Sequence, residues 1–135
     1  MIEIKYKIGF SDCDPAGIIF YSRVFEYCHK TYEELISSFN LTENYWSNQN
    51  YIVPIIKATS KYQKPLRYND EIKIKLFTSE LKNSSFELYY EIFKDNELSV
   101  IVNTIHVFIN AKTWEKIEIP TDIKNKLSEH LINHE

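Results

Sequence analysis

Ile2, Ile4, Tyr6 and Ile8 alternate with Glu3, Lys5 and Lys7. A period of two predicts a strand over 2–8. Residues 11–17, SDCDPAG, end it, because Asp, Pro and Gly are turn formers and Pro15 has no N–H to give a ladder. The period then changes. Tyr21, Phe25, Cys28, Tyr32, Leu35, Ile36 and Phe39 recur at steps of three and four, and Arg23, Glu26, Lys30, Glu33 and Glu34 fill most of the opposite side. This predicts an amphipathic helix over 21–39, about five turns long, whose broad aromatic stripe suits a large sheet. Glu26 and Lys30 stand at i,i+4 in the favourable order. Thr42 is placed to cap a short helical turn through Trp46.

Strand patterns then dominate, over 51–63, 71–81, 85–94 and 98–109, with Pro54 predicting an irregular start to the first. Asn69-Asp70, Asn83-Ser84 and Asp95-Asn96 fall between the runs as tight connections, which implies antiparallel pairing. After Pro120 a helix of about three turns is expected, capped by Thr121, with Ile123, Leu127 and Leu131 as its apolar row. One long helix against one antiparallel sheet is an α+β architecture. Residues 1–135 are read as one unit, without a repeat or linker. One sheet face covers one side of the helix and leaves edge strands free, which dimerisation through an edge would resolve.

A chain of 135 residues can bury one sizeable core. Two glycines and four prolines argue against low complexity. A net charge of -3, with no long run of Lys or Arg, argues against a nucleic-acid partner. Met1 to Tyr6 has no apolar signal region, and no apolar stretch approaches the roughly 20 residues of a membrane span, so a cytoplasmic location without membrane contact is expected. Cys13 and Cys28 are the only cysteines and read as free thiols. Without CxxC, HxH or HxxxH spacing, neither zinc nor any other metal is expected.

The segment that carries chemistry is Phe10-Ser11-Asp12-Cys13-Asp14-Pro15-Ala16-Gly17-Ile18-Ile19-Phe20-Tyr21. It is a carboxylate-bearing turn running into a helix start. Helix starts expose unpaired N–H groups and a partial positive charge, which can stabilise a developing oxyanion. A carboxylate just upstream can attack an ester carbonyl or activate water. Ala16 and Gly17 let backbone and substrate approach closely. Spacing alone fits equally a plainer use of Asp12 and Asp14 as Asx-turn or capping residues.

The run also resembles the signature Asp-x-Asp-Pro-Ala-Gly-x-x-x-Tyr of the 4-hydroxybenzoyl-CoA thioesterase branch of the hotdog superfamily. Asp12, Asp14, Pro15, Ala16, Gly17 and Tyr21 match it. Val53-Pro54-Ile55-Ile56, Lys61-Tyr62-Gln63-Lys64-Pro65-Leu66, Tyr68-Asn69-Asp70 and Phe108-Ile109-Asn110 extend the likeness over nearly the whole chain. It implies a hotdog fold, a long helix wrapped by an antiparallel sheet. It also implies Asp14 as nucleophile or general base, the Tyr21 backbone N–H as donor to the thioester oxygen, and Gly17 in the loop shaping the acyl pocket. Asp12 is read as structural. Cys28-His29-Lys30-Thr31-Tyr32-Glu33 is similar to a Cys-His-Glu-x-(Tyr or Trp)-Glu stretch of 1,4-dihydroxy-2-naphthoyl-CoA hydrolases, departing from it at Lys30. Cys13 stands where that branch often has Thr.

An acyl-CoA substrate needs cations for its phosphates. Lys82, in the turn Lys82-Asn83-Ser84-Ser85, falls by resemblance where a basic cluster is used, and Ser84 joins it. Lys61, Lys64 and Arg67 are further candidates, with solvated surface residues as the plainer reading. His29 is either a pocket residue or a helix-surface partner of Glu33. His106 is read as a sheet residue and Cys13 as packing. No cofactor is expected beyond coenzyme A, which is part of the substrate. The family's habits imply a homodimer or homotetramer. The expected activity is hydrolysis of an aromatic or short acyl-CoA. A non-catalytic acyl-CoA binder, a thioesterase acting on an acyl carrier protein and a His-dependent dehydratase are the alternatives.

Overall fold

The computed structural model describes residues 1–132. In chain order the elements are β1 (Ile2–Lys7), a 3-10 turn (Phe10–Asp12), α1 (Arg23–Ser38), β2 (Tyr51–Ile52), β3 (Ile55–Tyr62), β4 (Glu71–Leu81), β5 (Ser85–Lys94), β6 (Glu97–Val107), β7 (Ile109–Asn110) and α2 (Thr121–Ser128). Five strands form one antiparallel sheet in the order β1-β4-β5-β6-β3, and β2 pairs with β7 in a small separate ribbon.

Alternation along the strands decides which face meets the helix. Ile72, Ile74 and Leu76 of β4, Phe86, Leu88, Tyr90 and Ile92 of β5, and Val100 and Val102 of β6 are all buried. The residues between them are half-buried or exposed and form the outer face. Onto the inner face packs α1 through Val24, Tyr27, Cys28, Thr31, Tyr32, Leu35 and Ile36. Burying so many large side chains supplies the main favourable term, at roughly 1.5–3 kcal/mol each relative to exposure.

The helix is shorter than its pattern predicted. Tyr21 lies ahead of it and is 65% exposed, and the buried stripe is turned towards Val24, Tyr27 and Thr31, leaving Phe25 half-buried. The expected Glu26–Lys30 pair does not form. Arg23 takes Glu26 at 3.0 Å, and the Lys30 ammonium lies 5.3 Å from the centre of the Tyr27 ring. The Arg23 Nη1 donates to both Glu26 oxygens, at 3.1 and 3.0 Å, which occupies the carboxylate from the other side. Residues 42–46 are not helical; the Asn44 side chain closes a turn by accepting the Trp46 N–H at 2.9 Å.

Pro54 divides the predicted strand 51–63 into β2 and β3, and β3 carries a register shift between Ile55 and Lys57. The run 98–109 likewise divides into β6 and β7. In α2, Thr121 is the first helical residue rather than the cap, and Leu131 lies past the helix end, in a parallel bridge with Thr78. Among the described residues both sheet edges, β1 and β3, are unpaired, and nearly all of β3 is exposed. Among the described residues no helix is long and apolar enough to cross a membrane.

Leu76 sits at the sheet centre with no exposed surface. Leu76→Ala is expected to lower unfolding free energy by about 2–5 kcal/mol, measured by denaturant titration.

Candidate active site

The carboxylate-bearing turn is a stitched loop. Cys13 bridges Ile19, and Ile18 bridges Arg67. The Asp14 N–H bonds the Ile18 carbonyl at 2.9 Å, and the Gly17 N–H bonds the Asp14 carbonyl at 2.9 Å. Phe20 N–H reaches the Asp12 carbonyl at 2.7 Å, and Ile19 N–H the Leu66 carbonyl at 2.7 Å. Gly17 sits at φ +78°, a conformation that L side chains adopt only with strain. An added Cβ there would meet no atom within 4 Å, so backbone conformation rather than packing asks for glycine.

The two aspartates have different surroundings. The Tyr27 hydroxyl donates to Asp12 Oδ2 at 2.5 Å, tying the loop to the first turns of α1. The Gly9 N–H in turn donates to that hydroxyl at 3.3 Å. Burial, and then the bond to Asp12, push the Tyr27 phenol up to about 12. Asp12 therefore serves as an anchor. Asp14 is exposed. Its Oδ1 accepts the Ala16 N–H at 2.8 Å, which is an Asx turn. Among the described residues Oδ2 has no hydrogen-bond partner, and Asp14 lines none of the larger cavities of the single chain.

The start of α1 follows at once. Ser22 makes no side-chain cap bond, and the Tyr21 N–H has no acceptor among the described residues. From β3 the Tyr62 hydroxyl donates to the Tyr21 carbonyl, fixing the chain where it enters the helix. Sequence reasoning missed this contact, since nothing in the pattern pairs Tyr62 with Tyr21. Beside it opens a cleft of about 350 Å3 whose walls include Ile18, Tyr21, Tyr62, Gln63 and Lys64. Asp14, Gly17, Tyr21 and Arg67 are thus brought together at one end of the sheet.

Of the remaining predicted residues, Lys64 lines this cleft and the others lie outside it. His29 is on the exposed side of α1, two turns beyond Tyr21, with Nδ1 3.6 Å from Glu33. Lys61 stands opposite Ile101 and so shares the outer face, away from α1. Lys64 is held by Glu97 at 2.5 Å. Lys82 and Ser84 occupy the β4–β5 turn, where Lys82 lies 3.5 Å from Glu80. That turn is at the Val107 end of β6, whereas Tyr62 pairs with Val100, so roughly 20 Å of strand separates them.

His106, read as a sheet residue, is fully buried on the inner face. Its ring stacks on Phe86 at 4.7 Å and 3°, its Nε2 is 2.7 Å from Thr104 Oγ1, and its Nδ1 has no partner among the described residues. Burial, with a smaller contribution from His29, lowers its pKa to about 3, so it is neutral at ordinary pH.

A model of the thioesterase-like superfamily matches residues 8–127. A 1,4-dihydroxy-2-naphthoyl-CoA hydrolase of Nostoc punctiforme is 30% identical over 118 residues, covering 86% of this chain and 79% of the relative. A hydrolase of the same name from Prochlorococcus marinus is 29% identical over 138 residues, covering 96% and 92%. Among solved structures, a 1,4-dihydroxy-2-naphthoyl-CoA thioesterase from Synechocystis aligns with a TM-score of 0.87 at 22% identity, over 94% of this chain and 95% of that one. A mutant 4-hydroxybenzoyl-CoA thioesterase complexed with 4-hydroxybenzoyl-CoA aligns at 0.82 and 20% identity, over 93% and 97%. The fold is the hotdog.

His106 gives stability a pH signature. The unfolded chain takes up a proton there as pH falls below about 6.5, whereas the folded chain resists until about 3. The folded state then binds fewer protons, so this contribution is present above the window and lost as pH falls through it. Denaturant titrations at pH 7 and pH 4 are expected to show a loss of stability that is smaller in His106→Leu.

Proposed function

The chain belongs to the thioesterase-like superfamily, and from that premise we propose that it hydrolyses acyl-CoA thioesters, with Asp14 as the reactive carboxylate. One observation carries the reading. The Asp14 Oδ2 and the Tyr21 N–H, each without a hydrogen-bond partner among the described residues, lie on the one loop that enters α1, and Tyr21 lines the cleft beside it. A thioester carbonyl placed between them meets a nucleophile or base on one side and an oxyanion donor on the other.

Two routes share this geometry. As nucleophile, Asp14 attacks the carbonyl carbon, the C–S bond breaks, and CoA leaves as thiolate. Water then cleaves the mixed anhydride and restores the carboxylate. As general base, Asp14 takes a proton from water, whose oxygen attacks instead, and that proton goes to the thiolate. Either way one water is consumed and an acid and a thiol are released. For the acyl group we place aromatic acids first, with 1,4-dihydroxy-2-naphthoate leading them, on the names of the relatives.

The cleft is incomplete in one chain, since Lys82 and Ser84 lie far from Asp14. A second copy adding its β3 antiparallel to this β3 would bring its own Lys82 and Ser84 to the Asp14 end. Such pairing also occupies the exposed edge. The assembly we propose is a homodimer built on β3, open to further pairing into a tetramer.

A competing reading has its own support. The Asx turn is what a purely structural Asp14 would make, so an acyl-CoA binder without catalysis fits that bond equally. Asp14→Asn separates the two, because the amide oxygen still accepts the Ala16 N–H while the charge is lost. Release of free thiol from 1,4-dihydroxy-2-naphthoyl-CoA is expected to slow by at least ~10²-fold in this variant with the fold retained. Unchanged hydrolysis in Asp14→Asn, or none in the wild type, would sink the assignment. Sedimentation is expected to give a species of two or four chains, and specific activity is expected to fall on dilution in step with its dissociation.

A further inference from the structure

A second cavity lies further along the seam between α1 and β3, with a volume of about 150 Å3. Phe25 and Ala58 line it together with Cys28, Tyr32, Tyr90 and Thr104, the last four each 5% exposed or less and forming its buried floor. Phe25, in the first turn of α1, comes four residues after Tyr21, which lies just ahead of the helix. A thioester carbonyl at the Tyr21 N–H would have this slot as the next apolar space along the helix for its ring. A cavity of about this volume takes up a single benzene-sized ring.

The floor is not chemically blank. The Tyr32 hydroxyl is already paired with Tyr45, and the buried Cys28 thiol is a weak donor. That leaves Thr104 and Tyr90. Behind Thr104, His106 offers Nε2 at 2.7 Å while its Nδ1 is buried without a partner. An unpaired buried lone pair is tolerated better than an unpaired buried N–H. The network therefore favours the tautomer in which Nε2–H donates to Thr104 Oγ1. The Thr104 proton must then point away from His106, either into the slot or to the Tyr90 hydroxyl, which lines the slot as well. In the second case the Tyr90 proton is the one released towards the slot. Either way the slot meets one O–H donor that has no acceptor among the described residues.

We propose that this slot receives the ring of the acyl group and that Thr104 and Tyr90 determine specificity, one of the two directing an O–H donor to an oxygen substituent on the ring. This rests on the thioesterase reading above and deepens it by naming the residues that select among ring substituents. A floor donor left unpaired by a plain ring is what penalises benzoyl against hydroxybenzoyl. A fused second ring has to lie towards the rim at His29 and Ile55.

The test compares kcat/KM on benzoyl-CoA with kcat/KM on 2-, 3- and 4-hydroxybenzoyl-CoA. The wild type is expected to prefer at least one hydroxylated thioester by ~10-fold or more. Thr104→Val combined with Tyr90→Phe, which removes both donors, is expected to bring that ratio close to one, and Thr104→Ser to keep it. Equal efficiency of the wild type on all four thioesters overturns the slot assignment and leaves the thioesterase reading standing, and this arm needs no variant to fold. A ratio unchanged in the double variant, because both rates fall together or neither moves, also overturns it. Failure of the wild type to cleave any thioester removes the reading itself, and the slot assignment with it.

Discussion

The structure depends on covering one helix. Between Arg23 and Ser38, α1 carries Val24, Tyr27, Cys28, Thr31, Tyr32, Leu35 and Ile36 on one face, and all are buried. Such a stripe has no stable place in water, and a twisted five-stranded sheet gives it a matching concave surface. Everything functional is arranged around that packing. The helix start keeps its place because the flank of α1 is packed on the sheet. The loop before it can carry an exposed carboxylate because Asp12, Ile18 and Ile19 fasten the loop to Tyr27, Arg67 and Leu66.

The division of labour between the two aspartates shows how two identical side chains acquire different roles. Asp12 meets the phenol of the buried Tyr27 and is used up in a short hydrogen bond. Asp14 meets only its own loop, through one oxygen, and keeps the other available. Proximity in sequence says nothing about this difference. It arises because Tyr27 faces inward from α1 at the height of Asp12, whereas nothing from the sheet reaches Asp14.

Much of the architecture was legible in the sequence. The strands over 71–81 and 85–94 fall where the period-two pattern put them, because one face of each is buried and the other is not. The α1 stripe was found but rotated, since Tyr21 and Phe25 look like core residues by type and turn out to flank a cleft. Thr31 and Thr104 were invisible for the opposite reason: they are polar by type yet buried among aromatics. The Asp14 loop was legible through its motif, which fixes the turn and the helix start that follows. The slot was not, because Thr104 and His106 come from β6 and Cys28 from α1, and only the packed sheet shows that they meet.

The two sheet edges also bear on how the protein avoids uncontrolled growth. On β1, Lys5 and Lys7 point to the outer face, and on β3, Lys57 and Lys61 do the same, beside a break in register. Rows of ammonium groups and an irregular backbone make a poor template for a stranger's strand. An isologous union at β3 would close on itself and leave only the short, charged β1 margins at its ends. Such a unit has a fixed size, and its sheet cannot extend into a fibre.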